Sequence, residues 1–313
     1  TRDLINLPAE NLGPAELADR AQALAKHHQA TCDIIVGDDL LTENFPAIHC
    51  VGRASHRPPR LIKLTFGEKS APTVTLVGKG VCFDSGGLDL KPSSGMRYMK
   101  KDMGGAAHVL GLAHAIMANQ LPVYLQVFIP AVDNAVSANA YRPGDVVPTR
   151  SGLTVEVGNT DAEGRVILAD ALSHACEGAN DLLIDFTTLT GAARVAVGSE
   201  IAAYFTNTAR LASTLNQSAK AVQDPVWQLP LYQPYRKYIK SNIADLTNSG
   251  SERLAGATTA ALFLESFVSE NTPWVHFDVM AWNSKTRAGH PEGGEAMGLR
   301  ALYEVIKTLK FDA

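Results

Sequence analysis

The sequence predicts an α/β fold, a β-sheet with helices on both faces. Strand-like and helix-like segments alternate along the chain rather than clustering by type. Several strand candidates are apolar throughout, residues 182–187 among them. No low-complexity linker, charge block or internal repeat divides the 313 residues, so residues 1–313 read as one domain.

The elements follow in order. Gly13-Pro14 opens a helix over 14–28, and 32–36 is a short strand. Residues 61–66 and 73–77 are β-rich runs bounded by Gly67 and Gly78. A long helix with small residues at its start covers 104–119, and a buried strand covers 123–131. Then come a strand at 153–157, a helix at 167–176 and a strand at 182–187. A helix at 257–268, a strand at 274–279 and a helix at 298–309 complete the pattern.

Charge and composition exclude several classes. Twenty-eight Lys and Arg against 32 Asp and Glu leave a net charge of -4, which argues against a broad nucleic-acid face. With 46% hydrophobic and 19% charged residues, the chain is neither disordered, collagen-like nor a coiled coil. The longest apolar run, 106–118, contains His108 and His114 and falls short of the roughly 18–20 residues of a membrane span. No basic-then-apolar leader opens the chain, and its first residue, Thr1, reads as the start of a fragment. Cys32, Cys50, Cys82 and Cys176 lie far apart with no CxxC pair, which predicts reduced thiols and a cytoplasmic setting.

Two segments carry chemistry. One runs from Val77 through Gly78-Lys79-Gly80 and Asp84-Ser85-Gly86-Gly87 to Lys91 and Lys101-Asp102-Met103-Gly104-Gly105. The other is Asn159-Thr160-Asp161-Ala162-Glu163-Gly164-Arg165. Each reads as a glycine-rich turn after an apolar strand and before a helix, where open α/β sheets bind ligands. Asp84, Asp102, Asp161 and Glu163 would repel one another if they converged without a cation, and divalent ions supply that charge. In an extended loop Asp161 and Glu163 face one side, and Arg165 continues that face and could hold a small anion. For any one acid alone, a solvated turn or a helix cap (Asp102) explains as much. Phosphate-loop, GxGxxG, HExxH and GxSxG patterns are absent. His108, His114 and His174 read as packed or surface groups.

The motifs VGKG…FDSGG, MKKDMGG and NTDAEGR together resemble the signature of the leucine aminopeptidases, the dinuclear cytosol aminopeptidases. The opening Arg2-Asp3-Leu4-Ile5-Asn6 and the later segments 243–246 and 255–264 resemble that family too. The resemblance implies a zinc-peptidase-like α/β/α architecture, a central mixed, largely parallel β-sheet sandwiched between helices. It implies two divalent ions, zinc or manganese. Lys79, Asp84, Asp102 and Glu163 would hold the tighter ion, and Asp84, Asp161 and Glu163 the looser one. Lys91 and Arg165 would be catalytic, with bicarbonate on Arg165, and Met99, Thr188 and Gly191 would line the pocket for the first side chain. The expected substrates are peptides with a free N-terminus, and the expected assembly is a homohexamer. A DNA-binding or regulatory oligomer with secondary peptidase activity is the alternative.

The chain departs from the family pattern in two places. The smaller N-terminal domain usual in the family does not precede the opening segment, so the chain reads as the catalytic domain alone. Met280-Ala281 stands where a small Ala-Gly turn is usual, so a preference for leucine does not carry over. Lys101, beside Asp102, reads as solvent-facing.

Overall fold

The computed structural model describes residues 1–308, and among them nine strands form one sheet. In chain order these are β1 (Thr31–Val36), β2 (Arg60–Phe66), β3 (Thr73–Gly78), β4 (Gly80–Asp84), β5 (Tyr124–Asn134), β6 (Leu182–Thr187), β7 (Ala202–Thr206), β8 (Val226–Gln228) and β9 (Trp274–Asp278). Their spatial order is β1-β2-β5-β3-β6-β9-β7-β8, with β4 beside the end of β5. The centre, β5-β3-β6-β9, is parallel, while β1, β2 and the β7–β9 pair supply antiparallel contacts. The expected mixed, largely parallel sheet is therefore present.

Parallel strands need crossovers, and helices supply them on both faces. They are α1 (Pro14–His28), α2 (Gly104–Ala118), α3 (Glu163–Ala175), α4 (Gly191–Val197), α5 (Ala209–Ala221), α6 (Gly256–Glu265) and α7 (Leu299–Thr308). Successive strand residues point to opposite faces. Leu76 and Ile184 thus pack into one core with α1, α2, α5 and α7, and Val77 and Leu183 into another with α3 and α6. Position 309 of the expected last helix lies outside the described residues. No described helix is long and apolar enough to cross a membrane.

Local sequence explains several boundaries. Pro14 opens α1, and the Gly13 N–H donates to Glu16 Oε2 at 2.9 Å, satisfying one free amide of the first turn. Leu17, Ala18, Ala21 and Ala25 then form its buried stripe. Helix α2 is buried almost all round, and its paired glycines let it touch the sheet. A Cβ on Gly105 would lie 2.0 Å from the Phe186 carbonyl oxygen and 2.7 Å from the Lys79 nitrogen.

The largest difference from the sequence reading lies between residues 78 and 87. Rather than one long turn, 80–84 is strand β4, and the single residue Lys79 separates it from β3. The Lys79 N–H donates to the Phe186 carbonyl at 3.0 Å, and its own carbonyl accepts from Ala106 at 2.8 Å. The same break accommodates Pro130. It sits in β5 between Phe128, which pairs with Val77, and Ala131, which pairs with Gly80, where no parallel partner asks for its missing N–H.

Elsewhere the chain is more regular than expected in some places and less in others. The strand expected at 153–157 is Thr154–Glu156 in a separate small sheet with Val146–Pro148 and Leu246–Thr247. Helix α3 starts at Glu163 rather than 167. β7, β8 and α5, which the sequence reading did not anticipate, extend the sheet beyond β9.

Candidate functional site

The carboxyl ends of the parallel strands meet at one edge of the sheet, the place where open α/β sheets bind ligands. Asp84 ends β4, Asn134 ends β5, Thr188 follows β6 and Asp278 ends β9. Lys79, Asp84, Lys91, Met99, Asp102, Asp161, Thr188 and Gly191 all line one cleft of about 210 Å³ there. Roomier clefts of about 620 and 640 Å³ open around Trp227 and around Arg300, away from these carboxylates. Glu163 is buried behind the cleft, with an oxygen within 4.8 Å of ligand atoms on Asp84 and Asp161.

Asp161 and Glu163 converge for a reason other than the expected one. Residues 160–162 form a 3-10 turn rather than an extended loop, and Glu163 begins α3. The Asn159 side chain accepts the Asp161 N–H at 2.7 Å and fixes that turn. A buried Asn248 holds it from behind, accepting from Gly158 and donating to the Asn159 carbonyl, each at 2.8 Å. Thr160 ties this loop to the other one: its N–H donates to Asp89 at 2.7 Å, and its hydroxyl to the Gly86 carbonyl at 2.6 Å.

Asp102 does not cap α2. It sits in a short 3-10 turn, Met99–Met103, with its carboxylate accepting from the Thr188 hydroxyl at 2.7 Å. Asp84 is oriented too. Its Oδ1 accepts from Gly86 N–H and Asn134 Nδ2, which leaves Oδ2 directed elsewhere.

The charges are dense and unequal. Lys79 Nζ lies 2.6 Å from Asp102 Oδ2 and 2.8 Å from Glu163 Oε1, and all three groups are buried. Lys91 Nζ lies 2.8 Å from Asp84 Oδ2 and 2.5 Å from Asp161 Oδ1. Burial alone would favour deprotonated lysines, but Asp102 and Glu163 at Lys79, and Asp84 and Asp161 at Lys91, outweigh it and hold both ammonium groups above their ordinary values. Burial and the Asp84 charge push Glu163 well up, and they push Asp161 to about 6 against the pull of Lys91. Burial also opposes ionised Asp102, yet Lys79 and Lys101 bring it below the usual carboxylate range.

These residues fit a multivalent cation. Four of their oxygens (Asp102 Oδ2, Asp161 Oδ1 and both oxygens of Glu163) are buried without a directed hydrogen bond, although lysine nitrogens stand close to three of them. An all-oxygen set with one amine suits hard or borderline divalent ions.

Arg165 does not line the cleft. It is half-buried, with Nη1 donating to the Asn248 carbonyl at 2.6 Å, and burial brings its pKa to about 10. Lys101 corrects an expectation. It is 4% exposed and lines the cleft, because the 3-10 turn sends Lys100 outward to the Asn6 carbonyl and Lys101 inward. Burial lowers Lys101 to about 8, against the raising effect of Asp102. His108 is packed as expected, with Nδ1 on the Gly104 carbonyl and Nε2 accepting from Met297.

Sequence reasoning missed Asn134, Tyr141, Arg194, Asn248 and Asp278. The Tyr141 hydroxyl donates to the Thr160 carbonyl at 2.6 Å. Asp278 accepts from the Leu189 and Thr190 N–H groups and so shapes the loop above Thr188. For Asn134 and Asp278, a polar residue closing an apolar strand was the available signal. The other three carry no local signature.

Comparison with known proteins identifies the family and the fold. The profile of the cytosol aminopeptidase family, catalytic domain, matches residues 1–303. A probable cytosol aminopeptidase of Syntrophotalea carbinolica is 46% identical over 310 residues, covering 98% of this chain and 62% of the relative. One from Roseiflexus castenholzii is 44% identical, covering 98% and 63%. The chain thus spans about 62% of the length of these relatives. The crystal structure of cytosol aminopeptidase from Coxiella burnetii superposes with a TM-score of 0.97 at 57% identity, covering 99% of this chain and 68% of that one. The bottromycin maturation enzyme BotP in complex with Mn gives 0.92 at 40%, covering 98% and 68%. With a matching profile over nearly its whole length and the same fold at this identity, the chain belongs to the cytosol aminopeptidase family, over that family's catalytic domain.

Proposed function

We propose that the protein is a metal-dependent aminopeptidase that hydrolyses the first peptide bond of substrates with a free N-terminus. The observation that carries this reading is the cluster of buried carboxylate oxygens without directed hydrogen bonds at the carboxyl edge of the sheet. Lys79, Asp84, Asp102, Asp161 and Glu163 would hold two divalent ions, zinc or manganese, and the Mn complex of BotP supports the choice of manganese. When bound, such ions supply a water of lowered pKa and polarise the scissile carbonyl.

The chain's own residues then have distinct tasks. Asn134 and the Gly86 N–H fix the Asp84 carboxylate, and Thr188 fixes Asp102. Lys91, held as ammonium at the cleft wall, would donate to the oxygen on which charge develops. Lys79 must give up its proton to act as a ligand, so ion binding and proton release are linked there. Arg165 stays charged at neutral pH; its Nη1 is taken by the Asn248 carbonyl and it does not line the cleft, so the bicarbonate that the resemblance implies would have to sit on its remaining N–H donors, turned toward the cleft, to move a proton. Met99, Thr188 and Gly191 would receive the first side chain. The assembly would be a homohexamer in the cytoplasm.

The test is hydrolysis of aminoacyl p-nitroanilides by chelator-dialysed protein reloaded with Mn²⁺ or Zn²⁺, together with Lys91→Ala. Lys91→Ala should keep its metal by elemental analysis and lose about 10²–10³ in kcat. Near-full activity in Lys91→Ala would remove Lys91 from the reaction, and no hydrolysis with any loaded ion would end the reading.

A further inference from the structure

We propose that the cleft selects peptides whose first residue carries a carboxylate side chain, glutamate or aspartate, held by Lys101 deep in the cleft and Arg194 at its mouth. The inference rests on the aminopeptidase reading and names the substrate class of that same site.

Lys101 carries most of the argument. It is 4% exposed, lines the cleft beside Met99, Thr188 and Gly191, and makes no side-chain hydrogen bond or ion pair among the described residues. A buried ammonium without an anion is costly, so such groups are paired in folded proteins. The nearby acids are already committed. Asp102 pairs with Lys79 and accepts from Thr188. Asp278 takes the Leu189 and Thr190 N–H groups and the Thr190 hydroxyl. Arg194, an exposed residue of α4, lines the same cleft. Its Nη1 reaches Met280 Sδ at 3.0 Å, a weak acceptor that leaves most of the guanidinium's donors free.

Charge balance points the same way. Asp84, Asp102, Asp161 and Glu163 would be neutralised by two divalent ions. Lys91, Lys101 and Arg194 then remain as positive groups lining the cleft; Lys91 would serve the reacting oxygen, and Lys101 and Arg194 are left for a first side chain. Met99 and Val279 line the same, mostly polar cleft and Met280 lies against Arg194, which gives the methylenes of glutamate a few apolar contacts.

The test compares kcat/KM for L-glutamyl and L-glutaminyl p-nitroanilides on the Mn²⁺-loaded full chain near neutral pH. The two substrates share shape and leaving group and differ in charge. The glutamyl substrate should lead by about ten- to a hundredfold, the usual worth of a charge-assisted hydrogen bond. The ratio should fall towards unity in Lys101→Met and fall in part in Arg194→Met. Arg194→Met, at an exposed position, still reads the ratio if Lys101→Met does not fold. Calorimetric binding of L-glutamate against L-glutamine to the same protein reads the cleft without turnover. Preferential glutamate binding with no hydrolysis of any anilide would uphold the cationic cleft and end the aminopeptidase reading. Equal rates for the two anilides, or a ratio that survives both substitutions, would overturn the proposal and leave the aminopeptidase standing. So would faster cleavage of leucylglycine than leucinamide without glutamyl preference, since the cations would then be reading a peptide's C-terminal carboxylate.

Discussion

Lys79→Met in the metal-free protein isolates the electrostatics of the site. Methionine keeps most of the lysine stem, which fills the space over Gly164: a Cβ there would lie 2.6 Å from Lys79 Cε. What disappears is a buried ammonium 2.6 Å from Asp102 and 2.8 Å from Glu163. Breaking a buried ion pair by removing one partner costs about 3–5 kcal/mol, because the other charge stays buried. For a chain of this size, roughly 2 °C per kcal/mol gives a fall of roughly 6–10 °C in Tm. Differential scanning calorimetry of chelator-dialysed protein near neutral pH measures it. Adding Mn²⁺ should narrow the gap, since divalent charge replaces the lost ammonium. Titration of Mn²⁺ in two buffers of different ionisation enthalpy should show the variant releasing about one proton fewer than wild type. A metal-free variant within about 2 °C of wild type would show that the Lys79 pairs contribute nothing and that the carboxylates are already protonated there.

Three further outcomes follow from the geometry. Glu163→Gln should lose metal on dialysis by elemental analysis, since both Glu163 oxygens are buried without a directed hydrogen bond; retained stoichiometric metal would place the ion elsewhere. Gly105→Ala puts a Cβ into the Phe186 carbonyl and the Lys79 nitrogen, both backbone atoms, and should destabilise by about 3 kcal/mol or more, read from denaturant midpoints. The third concerns pH. Burial opposes a charged His276, but Asp185, 2.5 Å from its Nδ1, outweighs it and raises the pKa above the ordinary 6.5. The native state therefore keeps a proton that the unfolded chain releases. This stabilisation is fully present below pH 6.5 and is lost as pH rises through the folded value. Tm should fall over that window in wild type and fall less in Asp185→Asn, and equal slopes would remove His276 as the cause.

The sequence by itself determined the α/β class, most of the strands and helices, and a set of candidate site residues, because these depend on local period, turn residues and short motifs. It named Lys79, Asp84, Lys91, Asp102, Asp161 and Glu163 while misjudging how they meet. Only tertiary structure splits β3 from β4 at Lys79, since that break depends on the Phe186 carbonyl 107 positions away along the chain accepting the lysine's N–H. Only tertiary structure turns Lys101 inward and brings Arg194 to the same cleft. Asn248, Asn134 and Asp278 are likewise distant in sequence from the loops they hold, and no local pattern records a hydrogen bond closed across the fold. Burial settles the rest: a lysine's charge is the same in any sequence, but whether it meets water, a carboxylate or neither is decided by what packs around it.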